Sequence, residues 1–252
     1  MKKQKTKTKK VKKGGIVYRG FKGILKKFFK KPEFVYLGEK PDKQSVILCN
    51  HVGISGPLKL EMYFDDTFNF RFWGTHEMTE GLVSTYKYQS YNFYHKKKGW
   101  NLFLARMFCI LAAPVSNMFY KGLNLIPTYR DMRLRNTLKV STEEIKKGKN
   151  IIIFPEDSET GYHDVLEGYH PGFTLLCNQC QKVGIDTPVY VVYFNKYTNT
   201  YVFDKPVAYS KLLSLGLTKE ELSQKLCDRA NELKDYVKPE NQEETQNENS
   251  TN

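Results

Sequence analysis

The stretch Val46-Ile47-Leu48-Cys49-Asn50-His51 decides the fold, together with its counterpart Ile151-Ile152-Ile153-Phe154-Pro155-Glu156. Each is a short apolar run, rich in Val or Ile, that ends on polar side chains. Such runs are typical of buried strands rather than helices. In open α/β sheets, ligands bind just beyond the carboxyl ends of the strands. We therefore predict a single α/β domain, with a mostly parallel central sheet flanked by helices, in which the two strand ends form two walls of one active site.

The positive charge of the chain is concentrated at its N-terminus. The 252 residues carry a formal net charge of +13, and residues 1–31 contain thirteen Lys, one Arg and no acidic residue. The remainder is therefore close to neutral, which favours a docking arm over a domain that binds nucleic acid throughout. Nucleic-acid binding through the lysines of residues 2–13 stays an alternative. That arm has no interleaved aromatic residues, so it would contact phosphates alone.

The two ends of the chain are expected to differ from its middle. We predict a disordered basic arm at residues 1–13, an amphipathic helix at 14–31, a folded domain at 32–238 and a disordered polar tail at 239–252. A helix with one apolar and one basic side is typical of the membrane interface; packing on the domain, with solvated lysines, is the alternative. The apolar side holds Val17, Phe21, Ile24, Leu25, Phe28 and Phe29, and the basic side holds Arg19, Lys22, Lys26 and Lys30.

Other segments carry clear periodicity. Strands are predicted at residues 45–49, 68–73, 188–194 and 201–203, and helices at 57–63 and 132–147. Residues 100–120 are apolar but contain Arg106 and Pro114, so we predict a buried or interfacial helix rather than a transmembrane one. Thr218 to Glu221 form a capping box for a last helix. Its shared face is Leu222, Leu226, Ala230 and Leu233.

Cysteine and histidine usage argues against a metal or disulfide framework. The five Cys are scattered and odd in number, which fits free thiols in a reducing compartment. Cys177 and Cys180 form a lone CxxC, predicted to be a helix face rather than a zinc or redox site. His163 and His170 match no ligand spacing and are predicted to be solvated loop residues. Residues 86–98, an aromatic and basic stretch, are expected to be a second membrane contact, an acyl-chain wall or a surface loop.

Four blocks of sequence, in order, resemble the glycerolipid acyltransferases, the group that includes the 1-acylglycerol-3-phosphate (lysophosphatidic acid) acyltransferases. They are residues 50–55, which open Asn-His; 122–130, which end in Arg130; 154–158, Phe-Pro-Glu-Asp-Ser; and 187–192, a Pro followed by β-branched residues. The resemblance covers about residues 35–207. It implies an O-acyltransferase that moves an acyl group from acyl-CoA or acyl-carrier protein to a lysophospholipid or related glycerolipid. It implies no metal or organic cofactor and a location on the cytoplasmic face of the membrane.

The resemblance also implies roles for single residues. His51 is the expected general base, because an alcohol becomes a good nucleophile only when a base removes its proton. Arg130 is expected to bind the acceptor phosphate bidentately, and Glu156 to hold Arg130 or a substrate hydroxyl. Backbone amides near Asp157 and Ser158 are candidates for stabilising the negative oxygen of the reacting thioester. The remaining residues expected at the substrate or phosphate are Asn50, Ser55, Gly122 and Pro155.

The main departure from the family pattern is Gly56, which stands where the family has the Asp that orients the His. The other departures are Glu159, Tyr129 and Val191. Three explanations for Gly56 stay open: a backbone carbonyl orients His51, another acid does so, or the protein binds lipid without catalysis. Ser55 is predicted to cap a helix whose first residue is Pro57. The candidate acids are Glu61, Asp65, Asp66, Asp157 and Glu159.

Overall fold

The structure is a computed structural model that describes residues 15–42, 44–64, 68–156 and 162–236. The predicted basic arm at 1–13 and polar tail at 239–252 lie outside these residues. Within them the chain forms one α/β domain around a single sheet, as predicted.

The sheet is mostly parallel, and its central strands are those that the sequence analysis identified. The spatial order is β1-β7-β6-β2-β5-β3-β4, with β8 paired to β6. The pairs of β6 with β7 and with β8 are antiparallel, and the other described pairs are parallel. The strands are β1 (Glu33–Tyr36), β2 (Val46–Cys49), β3 (Phe70–Thr75), β4 (Ile126–Thr128), β5 (Asn150–Ile153), β6 (Pro188–Asn195), β7 (Thr200–Phe203) and β8 (Val207–Ala208).

Helices pack against the sheet. The predicted strand at 68–73 begins and ends two residues later, whereas the predicted helix at 132–147 is confirmed and ends before Gly148, at φ +80°. A 3₁₀ turn (His76–Met78) and a π-helix (Tyr88–Lys97) were not anticipated. The α-helices are α1 (Ile16–Phe28), α2 (Ser55–Tyr63), α3 (Leu82–Lys87), α4 (Leu102–Leu123), α5 (Leu134–Lys146), α6 (Gly172–Lys182), α7 (Tyr209–Leu213) and α8 (Lys219–Lys234).

A hydrophobic core lies on each face of the sheet, because alternate residues of a strand point to opposite faces. Val46 and Leu48 of β2 pack toward α6 and α8, whereas Ile47 and Cys49 pack toward the aromatic cluster of Phe64, Phe70, Phe72, Tyr201 and Phe203. All four β2 residues are fully buried. Burying an aliphatic side chain of this size contributes about 1.5–3 kcal/mol, so β2 is firmly held.

Two predicted helix features are confirmed. The Thr218 hydroxyl accepts from the Glu221 amide and the Glu221 carboxylate accepts from the Thr218 amide, which completes the capping box of α8. Its four predicted apolar residues are buried. Cys177 and Cys180 are fully buried on α6, as expected for a helix face.

The N-terminal helix α1 packs on the domain, which was the alternative to a purely interfacial helix. Tyr18 is buried, and Leu25 and Phe29 are partly buried on the same side of the helix. Lys22, placed on the solvated basic side by the sequence pattern, instead pairs with Glu61 of α2 at 3.3 Å. The domain therefore covers only part of the predicted apolar side: Leu25 and Phe29 are partly buried, whereas Val17 is exposed. The pattern gave the helix but not the side that the domain covers.

Candidate active site

Four neighbouring parallel strands place the site residues along one edge of the sheet. β2, β5, β3 and β4 lie side by side in parallel register. His51 follows β2, Glu156 follows β5, His76 follows β3 and Arg130 follows β4. Strands in a sheet lie about 4.8 Å apart, so the row from β2 to β4 spans roughly 14 Å at the backbone. The predicted meeting of strand ends is confirmed.

Asn50 has a structural position rather than the predicted contact with substrate. It is fully buried. Its side-chain oxygen accepts from the Phe194 amide at 2.6 Å, and its side-chain nitrogen donates to the Phe194 carbonyl at 3.1 Å. These two bonds occupy the amide and fasten the end of β2 to β6. Asn50 therefore fixes the backbone from which His51 projects.

The imidazole of His51 lies between two aromatic rings. It meets Phe154 edge-on, with centroids 5.1 Å apart, and stacks on Tyr162 at 4.8 Å with an interplanar angle of 11°. The Lys97 ammonium lies over the Tyr162 ring, 5.5 Å from its centroid. The ring is thus held in an apolar enclosure that has a cation at its border.

This enclosure keeps His51 neutral. Burial lowers the pKa of His51 to about 4, and the charge of Lys97 lowers it further, while a hydrogen bond with the Gly53 backbone acts in the opposite direction. Nδ1 has no hydrogen-bond partner among the described residues. A neutral imidazole is the form that can accept a proton.

Glu156 binds the backbone of His51. The predicted contact of Glu156 with Arg130 or with a substrate hydroxyl is not what the structure shows. Its carboxylate accepts from the His51 amide at 2.8 Å, and only 8% of the residue is exposed. Burial raises the pKa of Glu156, whereas the His51 amide and the charges of His163 and Lys97 lower it. Glu156 therefore ties the end of β5 to the end of β2, as a positioning group for His51.

The structure gives a physical reason for Gly56. A Cβ atom at this position would lie 2.8 Å from the carbonyl oxygen of His51, which is closer than real Cβ contacts. The Gly56 carbonyl accepts from the Tyr201 hydroxyl at 2.6 Å, so the backbone is pinned there. An Asp would not fit this turn without a shift of His51.

Two of the open explanations for Gly56 can be compared on the described residues. The Gly53 backbone favours the charged form of His51 and raises its pKa, which fits the explanation that a carbonyl lies beside the ring. Of the candidate acids, Glu61 accepts from Tyr18 and Lys22 on α1. Asp65, Asp66, Asp157 and Glu159 lie outside the described residues.

Ser55 does not cap α2, and its contact with substrate stays a prediction. It is the first residue of the helix, and its hydroxyl donates to the Val52 carbonyl at 3.2 Å. Pro57 is the third helical residue rather than the first. The turn is tighter than the sequence suggested, because Val52 and Gly53 both have positive φ, +32° and +59°. A left-handed Val is strained, and such strain is often found beside functional groups.

Arg130 is exposed, and its charge acts on Tyr88. Burial raises the pKa of Tyr88, as do the neighbouring Tyr162 and Glu77, whereas the charge of Arg130 lowers it. Tyr88 is therefore influenced both by the ring that stacks on His51 and by the guanidinium that follows β4. A cavity of about 680 Å³ borders this group, with Glu77 and Tyr88 in its wall.

Gly122 belongs to a helix contact and not to the phosphate site. It lies in the last turn of α4, and a Cβ atom there would overlap the ring of Tyr18. Its place in the second sequence block is thus explained by close packing of α1 on α4. Pro155 is buried, and its carbonyl accepts from the His170 amide at 2.7 Å. Asp157 and Ser158 lie outside the described residues, so their role stays a prediction.

The sequence pattern did not identify Tyr162, Tyr88 and Lys97 as site residues. Tyr88 and Lys97 are the first and last residues of the π-helix, within the aromatic and basic stretch whose role was left open. π-Helical segments are rare and frequent at functional sites. No sequence motif contains Tyr162. Its ring stacks on His51, 111 positions away in the sequence, and such a contact between distant residues leaves no local pattern.

The fold defines a class of architecture: a helix-flanked, mostly parallel sheet with the candidate site at its strand ends. Specifically, the chain is similar to the crystal structure of the 1-acyl-sn-glycerophosphate (LPA) acyltransferase, PlsC, from Thermotoga maritima. The two chains are 12% identical, with a TM-score of 0.51, and the match covers 88% of this chain and 81% of that one. At this identity the likeness shows a shared fold. A scan against models of known protein families found no match, and neither did a search of curated proteins.

Proposed function

We propose that this protein is an O-acyltransferase that moves an acyl group from an acyl thioester to the hydroxyl of a lysophospholipid or related glycerolipid at a membrane surface. The observation that carries the proposal is the neutral imidazole of His51 at the end of β2, in one row with Arg130 at the end of β4. The shared fold and the four sequence blocks support it.

In the proposed reaction, His51 takes the proton of the acceptor hydroxyl as its oxygen attacks the carbonyl carbon of the thioester. The carbon–sulfur bond then breaks, and the leaving thiolate takes the proton back from the imidazolium. Arg130 binds the acceptor phosphate, and the roughly 14 Å between β2 and β4 gives a glycerolipid headgroup room to reach both groups. Written this way, the reaction needs no metal or organic cofactor.

Binding of an anionic acceptor also improves the base. Lys97 lowers the pKa of His51, and the negative charge of an acceptor bound at Arg130 would offset part of that effect. The pKa of His51 then moves toward neutrality, where a general base works best. In this proposal the acceptor itself raises the basicity of the catalytic imidazole.

A second candidate is a relative that binds lipid without catalysis, and Gly56 favours it. Loss of the carboxylate behind a catalytic His lowers turnover by about ten-thousandfold in serine hydrolases. Vesicle binding without acyl transfer, from acyl-CoA and from acyl-carrier protein alike, would establish this second candidate.

The test compares wild type, His51→Ala and the control His170→Ala, an exposed histidine outside the site. A radiolabelled acyl donor is supplied with lysophosphatidic acid in vesicles. We expect His51→Ala to lower the transfer rate by about 10²–10⁴-fold and the control to match wild type. Equal rates for wild type and His51→Ala, above background, would remove His51 as the base.

A further inference from the structure

Helix α4 exposes its large apolar side chains and buries small or polar ones, which is the reverse of a helix that packs on a soluble core. The residues that it buries are small or polar: Ala105, Cys109, Ala113 and Asn117. Phe103 is 69% exposed and Leu111 is 78% exposed. The exposed large residues of α4 are Phe103, Leu104, Met107, Phe108, Ile110, Leu111 and Val115.

These exposed residues form one face. At 100° per residue, positions 103, 104, 107, 108, 110, 111 and 115 fall within about half of the helix circumference. The opposite side of α4 packs on α3 and the π-helix. Soluble monomers rarely expose an apolar patch of this extent. By length and composition alone, α4 is also the described helix that would suit a membrane crossing; however, protein covers one of its sides, which fits a helix lying at the bilayer surface.

Helix α1 extends this face. Ile16, Val17, Ile24 and Phe28 are exposed, Phe28 by 78%. The rings of Phe21 and Phe119 meet edge-on with centroids 6.1 Å apart. Phe21 lies one turn from Val17 and Ile24 on α1, and Phe119 lies one turn from Val115 on α4. The two exposed stripes therefore join where these rings touch, and we call the joined surface the α1/α4 face.

The domain fixes α1 in this position. The Tyr18 hydroxyl donates to the Glu61 carboxylate at 3.0 Å, and Lys22 pairs with the same carboxylate. The Tyr18 ring occupies the space that Gly122 leaves free. On the far side, the Tyr63 hydroxyl donates to the Lys26 carbonyl at 2.9 Å. The α1/α4 face is thus a preformed surface.

The charges around the face identify its partner. Neither α1 nor α4 contains an acidic residue. Exposed cations lie beside the apolar stripes: Lys27 on α1, and Arg106 and Lys121 on α4. Lys96, Lys97 and Lys98 precede α4, next to Trp100, and aromatic residues beside cations are typical of the membrane–water interface. An apolar surface with a cationic border matches an anionic lipid leaflet.

We propose that the α1/α4 face inserts into one leaflet of an anionic bilayer, with its large apolar side chains among the acyl chains and its cations at the headgroups. The inference rests on the membrane location in the proposed function and names the surface that provides it. The cavity of about 680 Å³ has Arg106 of α4 in its wall as well as Tyr88. This cavity is therefore lined by α3, the π-helix and α4.

The test is flotation with phosphatidylcholine vesicles containing about one-third phosphatidylglycerol. The variant is Phe103→Gln with Leu111→Gln, and the control is Leu213→Gln with Leu215→Gln, two exposed leucines at the end of α7. We expect the α4 variant to raise the apparent Kd at least tenfold, because two large apolar side chains would no longer leave water on binding. The control should bind like wild type, and circular dichroism should show both variants folded.

Three results would overturn the proposal: unchanged vesicle binding by the folded α4 variant, equal losses in the α4 variant and the control, or a wild-type dimer in solution that the α4 substitutions dissociate. The last result would mean that a second copy of the chain covers the face. His51→Ala is included so that the two proposals can fail separately. It should bind vesicles like wild type whether or not it transfers acyl groups.

Discussion

In most folded proteins, polar side chains are exposed and large apolar side chains are buried. The strand ends and the α1/α4 face depart from this rule in opposite ways. At the ends of β2 and β5, polar groups are enclosed: Asn50 is fully buried, and Glu156 is nearly so. On α4, large apolar groups face outward. Buried polar groups and extended exposed apolar patches are the informative deviations in a folded chain. Each is costly on its own. Together they are what the proposed function requires: polar groups for acyl transfer and an apolar surface for contact with a membrane.

The largest effect after loss of His51 is expected from Glu156→Ala, which removes the acceptor of the His51 amide and leaves that N–H without its partner. An unsatisfied buried donor costs about 1–3 kcal/mol, and misplacement of a base costs roughly 100-fold in kcat. Urea unfolding and the transfer assay measure the two. Glu156→Gln retains an acceptor oxygen and should lose much less of both. Full activity of Glu156→Ala would mean that His51 does not depend on this link.

Gly122→Ala tests whether α1 is packed as closely on α4 as the residues at the strand ends are packed on each other. The new Cβ would overlap Tyr18, and such overpacking costs about 1–3 kcal/mol. Thermal unfolding should show the loss, and vesicle binding should weaken because α1 is displaced. The matched control is Gly20→Ala on α1, where nothing lies within 4 Å. That change should stabilise the protein by about 0.5–1 kcal/mol. Equal behaviour of the two variants would contradict the Tyr18 contact.

Gly56→Asp asks whether the carboxylate of the family pattern can be restored in this chain. We expect destabilisation of about 1–3 kcal/mol and no gain in transfer rate, because the Cβ atom meets the His51 carbonyl. Gly56→Ala adds the same Cβ without the charge, so it should be destabilised to a similar degree. A rise in kcat for the Asp variant would show that the turn adjusts and that the missing acid limits the enzyme.

The pH dependence of kcat/KM should reflect the neutral imidazole. With its pKa lowered to about 4, His51 keeps its activity well below pH 6.5, so the acid limb lies below that value. Lys97→Gln removes one cause of the lowering and should move the limb upward by less than ~1 pH unit, since burial is the larger cause. Lys211→Gln, an exposed lysine on α7, is the control. An acid limb at pH 6.5 or above would contradict the enclosure.

The same group affects stability. Between pH 6.5 and about 4, the unfolded chain binds a proton that the folded protein does not. The contribution of His51 to stability is therefore fully present above pH 6.5 and is lost as the pH falls through this window. In His51→Ala, the free energy of unfolding should vary less with pH over the same range.

The sequence predicted the parts of the site that depend on neighbouring residues. Val46 to His51 and Ile151 to Glu156 carry both the strand signal and the polar ends, so their meeting followed from the geometry of parallel strands. Contacts between distant residues left no such signal. Asn50 bonds to Phe194, 144 positions away, and an Asn at a strand end looks the same whether it binds substrate or backbone.

The orientation of the outer helices was also hidden from the sequence. The pattern of α4 gave an apolar helix, but apolar residues lie on both of its sides, and only packing decides that Ala105 faces in and Phe103 faces out. Likewise, the helical pattern predicts a solvated Lys22, but Glu61 of α2 lies beside it and pairs with it. Gly122 was assigned to a phosphate-binding block from its neighbours in the sequence. Its packing partner, Tyr18, lies 104 positions earlier on α1, so the sequence pattern could not reveal the contact.

One transfer assay on anionic vesicles tests the link between the two regions most directly. It uses wild type, His51→Ala and the Phe103→Gln, Leu111→Gln variant, each with lysophosphatidic acid in the vesicle and with a short-chain, water-soluble acceptor. We expect His51→Ala to lose transfer to both acceptors while it stays bound. The α4 variant should lose transfer to the vesicle acceptor and keep it to the soluble one. Wild-type rates for His51→Ala, or loss of the soluble reaction in the α4 variant, would contradict the account.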